Sequence, residues 1–429
     1  MADFYPEARK RFPALQSSSS SGGGSTQQQV FFDNAGGSQT LDTVIESIRE
    51  YLAHQNVQLG ASYAAGRRAT ASYARAFTDA ADFIQANVDE VVFGASTTQL
   101  LRTLSWTLRF KPGDEIVISA IDHEANIAPW VDLAERQGLE VKWWRPKDAL
   151  DPELHPLDLA PLLSPRTRLV ACTHASNLLG TVTDVRAIAD LAHSVGALVC
   201  VDGVAYAPHR LVNVRELGAD FYVFSWYKVY GPHVATLYAS WAAQTRMRSL
   251  GHFFNPHVSL ADKMGLAAGS YELCQAVSAV VSYLGDREYG SWSEMETHEE
   301  ALTEGLLAYL REVPGITIYG KRGVQDSRLP IVSFTVDGWN SQALVEAIEK
   351  RSNYGLRWGA FYSNRLVRET LLLKQDGVVR VSLAHYNTSK SCSSVYTVSL
   401  CPEMLIRSTV EEVLGFIKVL KEVLPLSSE

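Results

Sequence analysis

Phe221-Tyr-Val-Phe-Ser-Trp-Tyr-Lys-Val-Tyr-Gly-Pro232 reads as a buried strand closed by a serine, with Lys228 just beyond it and Gly231-Pro232 turning the chain away. A lysine is costly to bury unless it is paired, or neutralised and put to use. Desolvation lowers its pKa and leaves a free amine able to attack a carbonyl. A strand-end lysine that simply reaches solvent is the plainer reading. What else converges on this position decides between them.

Working outward, apolar runs at 90–94, 115–120, 139–144, 168–173 and 197–201 precede the quoted stretch, and 233–238 follows it. Helical spacing fills 97–109, 126–137 and 184–195 between them. Strands separated by helices imply crossovers, hence an α/β fold with a mainly parallel sheet of seven strands covered on both faces. Ligands in such sheets sit beyond the carboxyl ends of the strands. Before the sheet, Leu41, Val44, Ile45, Ile48 and Leu52 repeat at helical spacing, 56–66 reads as a loop, and 68–87 as a second helix.

After about residue 286 the pattern changes to a long charged helix (293–312), short strands at 316–319 and 331–336, a helix at 341–351, a strand at 378–384 and a final helix at 409–423. The expected division is therefore a flexible N-terminal extension over 1–29, a large domain over 30–285 and a smaller α+β domain over 286–429. Packing of the first helix against the smaller domain stays open. Residues 17–29, SSSSSGGGSTQQQ, are low-complexity. Residues 389–408, SKSCSSVYTVSLCPEMLIRS, read as an atypical insertion in the smaller domain, with no catalytic role assigned.

Composition sets outer bounds. With 429 residues, 46% hydrophobic and 20% charged, the chain can bury more than one core. A formal charge of -8 gives no reason to expect a nucleic-acid or anionic-membrane partner. The N-terminus lacks an apolar signal core and no run is long enough to span a bilayer, so a cytoplasmic setting is expected. The five cysteines (Cys172, Cys200, Cys274, Cys392, Cys401) form no CxxC pair, which argues against a disulfide framework or a structural metal site.

The strand ends carry the candidate chemistry. Asp202 closes the run 197–201, where it serves either as an acceptor for loop amides or as partner to a buried cation. Thr97 and Thr98 open a helix after Gly94-Ala-Ser, which suits either an anion site or ordinary helix caps. His123 and Asn177 follow two further strands, where polar loop and turn chemistry are sufficient explanations taken singly. Arg380 interrupts the apolar strand 378–384 and needs a partner, protein or ligand, for which a bidentate carboxylate is the natural fit. Together they match the needs of one cofactor, pyridoxal 5'-phosphate: an amine-bearing lysine, a carboxylate for the pyridine nitrogen, a phosphate cradle and a ring-stacking partner.

Five motifs extend this match. They are His123-Glu-Ala-Asn-Ile-Ala-Pro-Trp130, His174-Ala-Ser-Asn-Leu-Leu-Gly180, Val201-Asp-Gly203, Ser225-Trp-Tyr-Lys228 with Gly231-Pro232, and Arg380-Val-Ser-Leu-Ala-His-Tyr-Asn-Thr388. On these, the chain from Val30 onward resembles the class V aminotransferase family, particularly its cysteine-desulfurase-like branch, with fold type I. The resemblance implies that Lys228 carries the cofactor and shuttles protons, Asp202 pairs with the ring nitrogen, His123 stacks on the ring and Asn177 bonds its phenolic oxygen. It assigns Thr97, Thr98, Ser225 and Tyr227 to the phosphate, and Ser270 to the phosphate of a neighbouring subunit in a homodimer. It assigns Arg380, assisted by Arg357, to the carboxylate of an amino-acid substrate.

Two departures bear on the reaction. Aligning Leu356-Arg-Trp-Gly359 with the family's loop motif puts Tyr362 where a desulfurase carries its cysteine, and no cysteine lies between Cys274 and Cys392. Ala205 replaces a glutamine expected to share the phenolic oxygen with Asn177. Aminotransferase or lyase chemistry on an amino acid is the expectation. The alternatives are a cysteine desulfurase or C–S lyase, served by Cys392 if it reaches the site, and a catalytically impaired cofactor-binding scaffold.

Overall fold

The computed structural model describes residues 5–16, 28–254, 259–266, 269–286, 290–324, 328–373, 376–387 and 411–424. The insertion at 389–408, with Cys392 and Cys401, lies outside the described residues, as does most of the low-complexity segment. A two-residue strand, β1 (Val30–Phe31), precedes the main sheet. That sheet comprises β2 (Val91–Gly94), β3 (Glu115–Ser119), β4 (Glu140–Trp144), β5 (Thr167–Thr173), β6 (Leu198–Asp202), β7 (Phe221–Ser225) and β8 (Ala235–Ala239). Its seven strands run in the order β2-β8-β7-β6-β5-β3-β4, and β8 alone is antiparallel to its neighbours. Strands β6, β7 and β8 are buried along their full length, as continuous apolar runs covered on both faces should be.

A second sheet is built from β9 (Ile316–Tyr319), β10 (Ile331–Val336), β12 (Arg357–Gly359) and β13 (Val378–Ser382), antiparallel throughout in the order β12-β13-β10-β9. The short strand β11 (Tyr354–Gly355) leaves it to pair in parallel with β1. Helices Trp292–Glu312, Ser341–Glu349 and Glu411–Val423 cover this sheet, contributing Leu306, Leu344 and Phe416 to a core that includes Phe32 from the start of the chain. The first long helix, Asp42–His54, packs against the helix Tyr271–Gly285, where Gln275 Nε2 donates to Ser47 Oγ at 2.9 Å. That second helix has no counterpart in the sequence reading.

The expectation of a flexible extension over 1–29 does not hold at its beginning. Residues Tyr5–Lys10 form a helix and Pro13–Leu15 a 3-10 turn, and Phe12 is fully buried. Its ring meets Tyr386 at 4.7 Å and Tyr230 at 5.7 Å between centroids. Arg9 anchors the helix by donating to the Tyr386 carbonyl and pairing with Glu412. A short apolar anchor of this kind lacks the length for periodicity to reveal it. Among the described residues no helix is long and apolar enough to cross a membrane.

Candidate active site

The carboxyl ends of β5, β6 and β7 open on one side of the main sheet, beside the N-terminus of the helix Thr97–Thr107. A cavity of about 90 Å³ there is lined by Thr97, Thr98, His123, Asn177, Asp202, Ser225, Tyr227 and Lys228. These are eight of the eleven residues singled out from sequence. His123, Asn177, Tyr227 and Lys228 also line an outer compartment of about 330 Å³, which adds Arg357 and Arg380. Ser270 lies elsewhere, in a separate cleft with Tyr73, Phe93 and His233.

Lys228 ends a 3-10 turn that leaves β7, and only 9% of it is exposed. Among the described residues it has no ion-pair partner. Burial, reinforced by Arg380, pulls its pKa down to about 8, against the opposing pull of Asp202 and Asp33. The turn needs close backbone approach. At Gly203 a Cβ would fall 2.1 Å from the Tyr222 ring, so only glycine lets β6 end beside β7.

Asp202 is the last residue of β6 and is buried. Its Oδ1 accepts from the Val204 N–H at 2.9 Å, which leaves Oδ2 without a protein donor among the described residues. Burial pushes its pKa up to about 6, while the Val204 N–H and Lys228 act in the other direction. Behind it, Asp122 is held by Asn126 at 2.7 Å and pushed up to about 8 by burial, with Asp202 adding to the effect.

Ser96 caps the helix Thr97–Thr107 by accepting from the Gln99 N–H at 3.1 Å. The capping role is thus filled, and Thr97 instead bonds Ser225 Oγ at 2.7 Å across the pocket. His123 accepts from the Ala125 N–H through Nδ1 at 3.1 Å, which places its ring proton on Nε2. Burial, then Lys228 and Arg380, hold it at about 4, so the ring is neutral at ordinary pH.

Arg380 is 1% exposed and sits directly opposite Arg357 in the β12–β13 register. Like charges facing each other across strands are unfavourable. The pairing is sustained by Asp33, a residue the sequence reading passed over. Asp33 Oδ1 accepts from Arg380 Nη2 at 2.7 Å, and Oδ2 is paired with Arg357 Nε. Arg380 Nη1 also donates to the Asn177 carbonyl at 3.1 Å, and its guanidinium lies 3.7 Å over the Phe361 ring. Asp33 could have been suspected from the need of Arg380 for an anion.

Asn177 is tied to the 360–363 segment. Its amide Nδ2 donates to the Phe361 carbonyl at 3.0 Å and its Oδ1 accepts from Ser363 Oγ at 3.0 Å. Tyr362 sits at the rim, 71% exposed, with its ring stacked on His123 at 5.1 Å. Cys172, Cys200 and Cys274 are buried, and none of them lines either compartment.

The aminotransferase class-V family model matches residues 30–395. An aminotransferase-like protein of Gibberella zeae, FGM3, is 51% identical over 393 residues, 90% of this chain and 95% of that protein. The cysteine desulfurase-like protein ustD of Aspergillus flavus is 40% identical over 368 residues, 83% of each chain. In fold, the chain superposes on the apo cysteine desulfurase of Thermococcus onnurineus NA1 with a TM-score of 0.81 at 24% identity, covering 97% of both. The mainly parallel sheet is thus that of the pyridoxal-phosphate-dependent enzymes of fold type I, and the chain belongs to the aminotransferase class-V family.

Proposed function

We propose that the inner compartment holds pyridoxal 5'-phosphate on Lys228 and that the enzyme acts, as an aminotransferase or lyase, on an amino acid whose carboxylate Arg380 receives. The observation that carries this is a buried lysine amine that makes no ion pair among the described residues and lines one compartment with Asp202 and the other with Arg380. The residues present fit the group. Asp202 has a carboxylate oxygen to spare for a ring nitrogen, and the Thr97, Thr98 and Ser225 hydroxyls stand beside helix N–H groups suited to a phosphate. When bound, the cofactor supplies an electron sink for negative charge developing at the substrate Cα.

The chain's own residues supply the rest. With a pKa near 6, Asp202 is charged at neutral pH and can hold a proton on the ring nitrogen. Neutral His123 offers a flat face rather than a charge. Lys228, at about 8, lies close enough to ordinary pH to take and return a proton at Cα. Arg380 is oriented before any substrate arrives by Asp33 and the Asn177 carbonyl, so its remaining N–H groups need little reorganisation to meet a carboxylate. Arg357 shares Asp33 and would assist.

Desulfuration needs a thiolate above the substrate sulfur, and the described cysteines are buried away from both compartments. We adopt the two-domain division, 30–285 and 286–429, and the homodimer as part of the same reading. The position of Ser270, exposed and outside the pocket of its own chain, supports a role at a neighbouring subunit's site. The decisive experiment is spectroscopic. Purified protein loaded with the cofactor should show a visible absorbance band that Lys228→Ala lacks, and borohydride should fix the cofactor on Lys228, read by peptide mass. A loaded wild type without the band, or a label on another lysine, would refute the assignment.

A further inference from the structure

Residues 360–363 form a tight turn closed by the Ser363 N–H on the Ala360 carbonyl at 2.8 Å. Its two central residues, Phe361 and Tyr362, have φ of 49° and 60°, both left-handed. Turns with two such residues ordinarily use glycine, asparagine or aspartate, because a side chain there is strained. Two aromatic residues are the reverse of what backbone preference selects. The surrounding structure holds them in place: Asn177 Nδ2 captures the Phe361 carbonyl at 3.0 Å, and the Glu124 N–H captures that of Tyr362 at 2.8 Å. Both contacts come from the loops that carry His123 and Asn177 into the active site.

Phe361 is partly buried against the core, but stability does not account for Tyr362. Tyr362 is 71% exposed, so burying its ring contributes little to offset the strain. Each ring instead faces the substrate side of the pocket. Phe361 is the plate beneath the Arg380 guanidinium at 3.7 Å, with Arg357 at 5.4 Å. Tyr362 forms the rim of the outer compartment over His123. Strain retained where side chains meet a ligand is a recognised mark of function.

We propose that the Phe361–Tyr362 turn sets the substrate specificity of this enzyme. Phe361 is a positioning residue that holds Arg380 for the substrate carboxylate. Tyr362 is the surface on which the substrate's side chain lies. The site therefore takes amino acids whose side chains pack flat on an aromatic ring. This rests on the functional reading above, in which Arg380 receives the carboxylate.

The test uses full-length holoenzyme titrated with the common L-amino acids, following the cofactor's visible absorbance, together with Phe361→Gly, Tyr362→Gly and Tyr362→Phe. Glycine suits the left-handed backbone and the Tyr362 ring is exposed, so Tyr362→Gly should melt at or above the wild-type temperature, whereas Phe361→Gly also gives up partly buried packing. Phe361→Gly should raise the half-saturating concentration of every responding amino acid by the same factor, about tenfold, since it acts through the shared carboxylate. It should also make Arg380 more reactive towards phenylglyoxal, read by peptide mass. Tyr362→Gly should change the ranking among amino acids, lowering the preference for side chains that pack flat on an aromatic ring, and Tyr362→Phe should restore it. Unaltered titrations in Phe361→Gly, a uniform loss in Tyr362→Gly, or a Tyr362→Gly variant melting well below wild type would each overturn the assignment. A wild-type holoenzyme silent to every amino acid would sink the functional reading and this inference with it, whereas a responsive wild type with unaltered variants would sink the inference alone.

Discussion

Replacing Lys228 with methionine removes a buried ammonium while keeping most of the side chain's volume. The folded protein lowers this lysine's pKa from 10.5 to about 8, mainly by burial. A depression of that size corresponds to about 3 kcal/mol of penalty for keeping the charge in the cofactor-free protein. The sign follows from proton linkage. Between the folded and unfolded values the unfolded chain holds the extra proton, so wild-type stability rises as pH increases from about 8 towards 10.5. Below that window both states are protonated and the full penalty is present. Cofactor-free Lys228→Met should therefore be more stable than wild type near pH 7, by up to about 3 kcal/mol, with an advantage that shrinks through the window. Urea denaturation at a series of pH values, reported as the difference between the two proteins, cancels the tyrosines and other lysines that titrate in both. A methionine variant less stable at neutral pH, or a difference that does not move with pH, would refute the claim that Lys228 is held as a destabilised amine.

Asp33→Asn keeps the shape but leaves the buried Arg380 without its anion. Thermal melting should show a loss of about 2 kcal/mol, below the usual cost of a broken buried pair because Asp33 is partly exposed and the amide oxygen can still accept. Gly203→Ala drives a methyl into the Tyr222 ring and should cost about 3 kcal/mol, read as a fall in melting temperature. Gly36→Ala meets Arg357 Nη2 at 2.2 Å, the far end of a half-exposed side chain that can swing aside. Its stability change should stay under about 1 kcal/mol while KM for the amino acid rises. Asp202 has a raised folded pKa near 6, so its charge is lost as pH falls through that value. Cofactor affinity measured by equilibrium dialysis should weaken over the same range in wild type, and Asp202→Asn should remove that component of the pH dependence.

The main sheet was legible because its central strands, such as β6 and β7, are near-continuous apolar runs, and such runs declare themselves within a few residues. The strand-end rule then brought Lys228, Asp202, Asn177 and His123 to one place without any knowledge of contacts, and they line the same pocket. The competing reading of Thr97 as a helix cap failed on a detail one residue away, since Ser96 takes that role. Elements of two or three residues were not legible. Strands β1, β11 and β12 are too short for alternation to register, and the anchor around Phe12 is a few buried apolar residues in a short, charged segment. Asp33 was missed for a different reason. It lies 347 residues from Arg380 in sequence, and nothing local in Phe32-Asp33-Asn34 distinguishes an ion-pair partner from a polar turn.

That contrast divides the site itself. Its cofactor half comes from consecutive strand ends of one parallel sheet, so topology alone assembles it. Its substrate half comes from the segment after β1, the β12–β13 pair and the strained turn at 360–363, which only tertiary contacts bring together. The halves meet at Asn177, whose amide holds the turn while its carbonyl holds Arg380. Asp202, Thr97 and Ser225 take their hydrogen bonds within the cofactor half, whereas His123, stacked on Tyr362, is a second link between the two. The resemblance puts Tyr362 where a desulfurase carries its cysteine, a departure in the substrate half, and Ala205 where a glutamine is expected, a departure that lines the inner pocket. Each half thus departs from the desulfurase pattern at its own position, while Lys228, Asp202 and Arg380 keep the residue types that the pattern asks for.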